Sequence, residues 1–347
     1  MKIFLATIIF VFVSITAVFF TLKSKEAVGD LPAFGDDRVN ISSGSPLQFE
    51  DLTIPYLRTR DYKSSLGELE KISQEPNYTS YLTSYTSDGL KINGFLTIPS
   101  GKTPDGGWPA VVFVHGYIPP SLYQTTEKYQ DYVDYLARNG FVVFKIDLRG
   151  HGESEGEAGG AYYSGDYVMD VLNARAALES SNFVDGQKIG LWGHSMAGNV
   201  VFRAFTARPQ IPAVVIWAGA VYSYEDLQKY GLFDNSYRPP GEGTQRQRRR
   251  QELFDKYGQF DKNSDFWKKV AAVNYLSDLK GAIQIHHATF DTVVDVGYSR
   301  DLMNLFDKTS VFHELFEYSG GGHNISGSSF NLAMQRTVEF FKKHLVQ

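Results

Sequence analysis

The sequence of 347 residues contains no cysteine, which excludes a disulfide framework, a thiolate nucleophile and a metal site with cysteine ligands. It also lacks an excess of basic residues, because 34 lysines and arginines stand against 39 aspartates and glutamates. A nucleic-acid-binding surface depends on such an excess, so we expect no nucleic-acid partner. No glycine loop matches a phosphate or dinucleotide fingerprint, and no cluster of histidines and carboxylates has metal-ligand spacing. We therefore expect neither a cofactor nor a metal.

Hydrophobic residues are plentiful, at 43% of the chain, and they predict a sizeable core. Residues 3–22 form one uncharged run without proline or glycine, and twenty helical residues span about 30 Å, the thickness of a bilayer core. The run favours an uncleaved N-terminal membrane anchor over a cleaved signal peptide or a buried helix. Either of the first two places the bulk of the chain outside the cytoplasm. Lysines on both flanks, Lys2 and Lys23, leave the orientation open.

The pattern divides the chain into a hydrophobic segment, a linker with an N-terminal extension, and one large domain, at residues 1–24, 25–77 and 78–347. Within the extension, residues 66–74 are expected to form a short helix. At residues 78–100, two alternating runs flank Ser87-Asp88-Gly89, which predicts a β-hairpin.

From residue 110 onward, strand and helix patterns alternate. The predicted strands cover residues 110–115, 141–147, 188–192, 213–217, 283–287 and 311–318, and the predicted helices cover residues 125–139, 164–181, 196–208, 297–308 and 330–344. This alternation predicts an α/β fold, with a mostly parallel sheet and helices on both faces. Sites in such sheets lie at the carboxyl ends of the strands.

One connection breaks this rhythm. Residues 222–276 are too many for an ordinary link between a strand and the next, and we interpret them as a lid insertion. They include the basic run Arg246, Arg248, Arg249 and Arg250. This run is interpreted as a solvated helix face or, alternatively, as a set of cations that meets an acidic group of the substrate.

The stretch KIGLWGHSMAG, residues 188–198, places Ser195 between an apolar run and a helix pattern. A nucleophile elbow requires this strand–turn–helix context, with small residues two positions before and two positions after the serine. Gly193 and Ala197 occupy those positions, although glycine is usual at the second. The pattern predicts that Ser195 is an activated nucleophile.

A serine hydroxyl requires a base, and the base requires an acid that orients it. In this kind of fold the chain order is serine, acid, histidine. His323 follows three glycines after the last predicted strand, in a loop free to bring an imidazole over the sheet, and we predict it as the base. Asp291 follows the strand at 283–287 and is the predicted acid, whereas Asp295 is assigned to the cap of the next helix.

Attack by a serine creates an oxyanion that requires aimed N–H donors. We predict the backbone N–H of Met196, at the start of the helix after the nucleophile, and that of Tyr117, in the loop after the strand at 110–115. His115 is expected to brace this loop through hydrogen bonds.

Four segments and their spacing resemble the α/β-hydrolase superfamily: DLRGHGES at 147–154, GHSMAG, HHATFDTVVD and GGGH. Over residues 78–347 the sequence is most similar to the catalytic domain of the prolyl oligopeptidase family and to dienelactone-hydrolase-like esterases. The resemblance implies a central, mostly parallel eight-stranded sheet. It also implies a catalytic triad and two oxyanion donors at the positions already named: Ser195, Asp291, His323, Tyr117 and Met196.

The expected protein is a membrane-anchored or exported serine hydrolase that works through an acyl-enzyme without a cofactor. The first interpretation is a prolyl-oligopeptidase-like peptidase acting on short peptides. A carboxylesterase acting on small acyl or aryl esters is the alternative, because no substrate-filtering β-propeller fits into the residues before 78. A non-catalytic binding module of the same fold is a third hypothesis, and the sequence predicts no oligomeric state.

Overall fold

A computed structural model describes residues 48–232 and 245–346, with the backbone alone at residues 245 and 246. Two predicted features lie outside the described residues: the hydrophobic segment at 3–22 and the part of the insertion at 233–244. None of the helices in the described part of the chain combines the length and apolar character that crossing a bilayer requires.

Strands and helices alternate as the sequence predicts. The strands β1 to β9 run over Glu70–Gln74, Tyr78–Ser87, Leu90–Pro99, Trp108–Val114, Val142–Ile146, Val184–His194, Ala213–Trp217, Ala282–Ala288 and His313–Tyr318. The helices α1 to α9 run over Ile54–Thr59, Gln130–Arg138, Asp166–Glu179, Met196–Ala207, Tyr224–Tyr230, Gln245–Tyr257, Asp265–Val270, Gly297–Phe306 and Ser328–Leu345. Each strand and helix predicted from residue 110 onward is present, with ends shifted by a few residues.

All nine strands of the described chain form one sheet, in the order β1-β2-β3-β5-β4-β6-β7-β8-β9. The pairs β1–β2, β2–β3 and β3–β5 are antiparallel, and the remaining pairs are parallel. The hairpin β2–β3 is confirmed, and its turn residues Asp88 and Gly89 both have positive φ, at 54° and 80°. This geometry matches the right-handed twist of the strands it joins.

The expectation of eight strands is wrong by one, because the predicted helix at 66–74 is an edge strand, β1. Leu66, Leu69 and Ile72 recur every three residues, which imitates the apolar stripe of a helix. Most of β1 is exposed, and its backbone pairs with β2 through a register break between Lys71 and Ser73. Such a strand is held by backbone hydrogen bonds to its neighbour. Because few of its side chains are buried, the sequence shows no apolar pattern that would identify the strand.

The core lies on both faces of the sheet. Along β4, Ala110, Val112 and Val114 face a cluster that includes α3, α4 and α8, whereas Val111 and Phe113 face α2 and α9. Burial on both faces explains why the central strands are continuous apolar runs without alternation. The two helical layers leave the carboxyl ends of the parallel strands free to carry the site.

The described part of the insertion packs against the N-terminal extension. Leu253 and Trp267 are fully buried in a cluster with Phe49. Arg249 forms an ion pair with Asp51 at 2.6 Å, and its guanidinium lies 5.4 Å from the centre of the Phe49 ring. Arg249 thus attaches the insertion to the extension, a contact that neither interpretation of the basic run included, while its side chain stays partly exposed.

Candidate active site

Ser195 lies in the sharp turn between β6 and α4. Its φ of 54° and ψ of −118° place it in a region that side chains other than glycine rarely adopt. The turn leaves no space for a side chain at Gly193, where a Cβ would lie 2.7 Å from the carbonyl oxygen of Ala197. Strain of this kind, on a serine between a strand and a helix, is the geometry of a nucleophile elbow.

Asp291 follows β8, and its side chain is fully buried. One carboxylate oxygen, Oδ1, accepts hydrogen bonds from the N–H groups of Val293 and Val294, at 2.8 and 3.0 Å. The other, Oδ2, lies 2.7 Å from His323 Nδ1. Burial alone would raise the pKa of Asp291, but hydrogen bonds from His287, His323 and the Val294 N–H hold that pKa well below its usual range.

His323 lies in the short 3-10 turn Gly322–Asn324, after β9. The ionised carboxylate of Asp291 can only accept, so His323 Nδ1 carries a proton and Nε2 is left to accept another. Among the described contacts, Ser195 Oγ and His323 Nε2 do not share a hydrogen bond, and such bonds are often long in the absence of substrate. Both residues line one cavity of about 460 Å³.

A second histidine, which the sequence analysis does not single out, contacts the predicted acid. His287 is fully buried, with Nε2 3.3 Å from Asp291 Oδ2 and Nδ1 2.7 Å from Ser299 Oγ. The sequence signal that could have identified His287 is its position near the end of a strand, four residues before Asp291. Asp295, by contrast, accepts from the N–H of Gly297 at the start of α8, at 2.7 Å.

The two predicted oxyanion donors belong to different segments of the chain. Met196 is the first residue of α4, where backbone N–H groups have no partner within the helix. Its N–H has no hydrogen-bond acceptor among the described residues. Tyr117 follows β4 and lines the cavity together with Ser195. Both predicted donors therefore lie in segments that adjoin the nucleophile or the cavity that it lines.

His115 is buried beneath the loop that carries Tyr117. Its Nδ1 lies 2.7 Å from the carbonyl oxygen of Gly116 and its Nε2 lies 2.8 Å from that of Asp147. The Asp147 carboxylate in turn accepts from the hydroxyls of Tyr123 and Thr125, at 2.8 and 2.6 Å. These contacts support the bracing role that the sequence suggests for His115 and give Asp147 a similar one.

Lys145 is buried under the same loop. We expect this lysine to make the free energy of unfolding depend on pH in the alkaline range. Burial lowers its pKa to about 8, whereas an unfolded lysine titrates near 10.4. Between these values the unfolded chain binds more protons than the folded chain, so the contribution of Lys145 to the free energy of unfolding rises with pH. Below pH 8 the lysine is charged in both states, and the full cost of burying its charge remains. The free energy of unfolding of Lys145→Met minus that of the wild type should therefore fall by about 1.4 kcal/mol per pH unit from pH 8 to 10.

Urea denaturation at stepped pH measures this difference. Exposed Lys128 provides the matched control, because Lys128→Met makes the same substitution without removing a buried lysine. A difference for Lys145→Met that does not change with pH would contradict the expected titration.

Comparison with known proteins gives matches over parts of the chain. The family model for serine aminopeptidases, described as "Serine aminopeptidase, S33", matches residues 109–235. Two uncharacterised 31.7 kDa proteins of Escherichia coli are 34% identical over 76 residues, which is 22% of this chain and 26% of theirs. The chain thus spans about a quarter of the length of these curated relatives.

Two similar solved structures have the same fold at low identity. An acetyl xylan esterase from Paenibacillus sp. R4 matches with a TM-score of 0.59 and 17% identity, over 82% of this chain and 91% of that one. An acylaminoacyl peptidase from Pyrococcus horikoshii matches with a TM-score of 0.59 and 20% identity, over 78% of this chain and 43% of that one. An esterase and a peptidase therefore share this fold with the chain.

Proposed function

We propose that this member of the α/β-hydrolase superfamily is a serine hydrolase that cleaves carboxylic esters by acyl transfer to Ser195. One juxtaposition carries the proposal. Ser195, on strained backbone, lines the same cavity as His323, and His323 Nδ1 is hydrogen-bonded to the buried Asp291 carboxylate. A nucleophile, a base and an orienting acid are the groups that acyl transfer requires.

The first half-reaction forms the acyl-enzyme. His323 Nε2 takes the proton of Ser195 Oγ as this oxygen attacks the substrate carbonyl, and the electron pair moves to the carbonyl oxygen. The N–H groups of Tyr117 and Met196 receive the resulting oxyanion; one such donor contributes about 3 kcal/mol to transition-state stabilisation. When the intermediate collapses, the alcohol leaves with the proton from His323 Nε2, and the acyl group stays on Ser195.

The second half-reaction repeats these steps with water. Water gives a proton to His323 Nε2 and attacks the acyl carbonyl, and collapse returns the proton to Ser195 Oγ and releases the acid. Asp291 stays ionised throughout, because its depressed pKa keeps it charged at neutral pH. It holds the Nδ1 proton and stabilises the imidazolium that forms twice in each turnover.

The cavity favours a small ester. Its lining includes Tyr117, Ile118, Tyr132 and Val293, which offer aromatic and aliphatic contacts to an acyl or aryl group. A peptide with a free amino terminus would be stabilised by a carboxylate, and the described lining residues include no aspartate or glutamate. Lys128 instead adds a positive charge there. The structural likeness to the Paenibacillus acetyl xylan esterase, which extends over 91% of that chain, supports the same choice.

A peptidase acting on short peptides, similar to prolyl oligopeptidases, is the second candidate. The serine aminopeptidase family model, which matches residues 109–235, favours it, as does the likeness to the Pyrococcus acylaminoacyl peptidase. The same residues would act, with an amine in place of the alcohol as leaving group. Membrane anchoring through residues 3–22 is a separate proposal that rests on their hydrophobic sequence.

Substrate panels distinguish these candidates. We expect p-nitrophenyl esters of short acyl chains to be hydrolysed with kcat/KM at least about 100-fold above that for short peptide p-nitroanilides, because the described cavity lining lacks a carboxylate for a peptide amino terminus. The panels are run with Ser195→Ala as the blank. Ser195-dependent amide cleavage that equals or exceeds ester cleavage would contradict the ester assignment and establish the peptidase.

A further inference from the structure

We propose that Tyr129 and His194 form a hydrogen-bonded relay that positions the oxyanion loop and the base loop relative to Ser195. Three contacts make up the relay. The N–H of Gly116 donates to Tyr129 Oη at 3.0 Å, Tyr129 Oη lies 2.7 Å from His194 Nδ1, and His194 Nε2 lies 3.0 Å from the carbonyl oxygen of His323. Neither Tyr129 nor His194 belongs to the triad.

The donors and acceptors, together with a neutral His194, fix every proton in the relay. A backbone N–H can only donate and a carbonyl oxygen can only accept, so the two ends of the chain are determined. Tyr129 therefore accepts from Gly116 and donates its own proton to His194 Nδ1, and His194 Nε2 carries the proton that His323 accepts. The arrangement requires a neutral imidazole, and burial favours one by lowering the pKa of His194 to about 3.

Each end of the relay adjoins a group of the proposed reaction. Gly116 precedes Tyr117, a proposed oxyanion donor, and His194 precedes the nucleophile. The carbonyl at the far end belongs to the base itself. A shift of about 1 Å in such groups can cost about 100-fold in rate, so a chain that fixes all three elements acts on the transition state more than on substrate binding.

Two further features indicate that the relay is built into the fold. A Cβ at Gly116 would lie 2.8 Å from Tyr129 Oη and 3.1 Å from His194 Nδ1, so only glycine permits this approach. Tyr129 has a φ of 64°, which is uncommon for a bulky residue. Its ring packs against Phe113 and Trp192, with centroids at 5.5 and 6.1 Å. Strained backbone that holds a side chain in place often accompanies function.

Tyr129→Phe removes the hydroxyl and retains the ring. It leaves the Gly116 N–H and His194 Nδ1 without partners, so we expect kcat on a short p-nitrophenyl ester to fall about 10- to 100-fold, with KM within about twofold. Tyr135→Phe is the matched control, because Tyr135 lies on α2, the helix that begins directly after Tyr129, and outside the cavity lining; it should keep wild-type kcat. Unchanged kcat in Tyr129→Phe would overturn the relay.

Variants of His194 distinguish a role in positioning the two loops from a general loss of packing around the site. His194→Leu should lose as much kcat as Tyr129→Phe or more, and the double variant should be no slower than His194→Leu, since both changes break one chain. His194→Gln keeps an amide N–H that can reach the His323 carbonyl, so it should recover part of the loss. Effects that multiply in the double variant, or no recovery with glutamine, would contradict the relay.

The relay rests on the proposed hydrolase function. Two readouts distinguish a failure of the relay from a failure of that function. Turnover that survives Ser195→Ala would overturn the function, whereas Ser195-dependent turnover unaffected by Tyr129→Phe would overturn the relay alone. Long-range ¹H–¹⁵N NMR spectra of the wild type need no turnover. They should show His194 neutral with the proton on Nε2 between pH 6 and 8, and a proton on Nδ1 would refute the arrangement.

Discussion

Replacing Ser195 with alanine should lower kcat for ester hydrolysis about 10⁶-fold, because Ser195 Oγ is the atom that receives the acyl group in the proposed mechanism. His323→Ala should cost a similar factor, since among the described residues that line the cavity only His323 is a base in contact with a buried carboxylate. The double variant should be no slower than either single one, because nucleophile and base act as a unit. Steady-state kinetics of the purified variants on one p-nitrophenyl ester measure all three losses.

These losses should not arise from unfolding. Among the described contacts, the Ser195 hydroxyl forms no side-chain hydrogen bond, and the turn is held by backbone bonds such as that from the Ser195 N–H to the Trp217 carbonyl, at 2.9 Å. Ser195→Ala should therefore melt within a few degrees of the wild type. Residual activity above about 1% in either single variant, after contamination is excluded, would contradict the assignment.

Asp291→Asn should lower kcat about 10⁴-fold while preserving the fold. The N–H groups of Val293 and Val294 donate to Oδ1, so the asparagine carbonyl oxygen must occupy that position. Its NH₂ group then faces His323 Nδ1, which must give up its proton to accept. The proton moves to Nε2, and His323 can no longer take the proton of the nucleophile.

Asp295→Asn provides the matched control for this variant. Asp295 lies four residues on and bonds to the N–H of Gly297, a contact that an asparagine side chain can also make. Its kcat should stay within a few-fold of the wild type. Equal losses at the two positions would indicate a general disturbance of the loop and would contradict the specific role of Asp291.

The fold and the candidate site differ in how much of each the sequence reveals. Strands buried on both faces, such as β4 and β7, are continuous apolar runs, and their positions follow from that pattern alone. The elbow around Ser195 is equally local, because its small residues must be adjacent in the chain. These parts could therefore be predicted within a few residues of their observed ends.

What the sequence does not reveal depends on long-range contacts. The edge strand β1 exists through backbone pairing with β2, which leaves no apolar signature. The contact of Arg249 with Asp51 joins positions 198 residues apart, and no local pattern announces it. The contacts of Tyr129 with Gly116 and His194 likewise require the folded sheet to bring three segments together.

Covalent labelling tests the central claim that Ser195 is the nucleophile. The wild-type protein is treated with a fluorophosphonate, which phosphonylates an activated serine with loss of fluoride, and the modified residue is identified by peptide mass spectrometry. We predict one adduct, on the peptide containing Ser195, and no adduct in Ser195→Ala under the same conditions. Labelling at a different residue, or equal labelling of Ser195→Ala, would contradict the account.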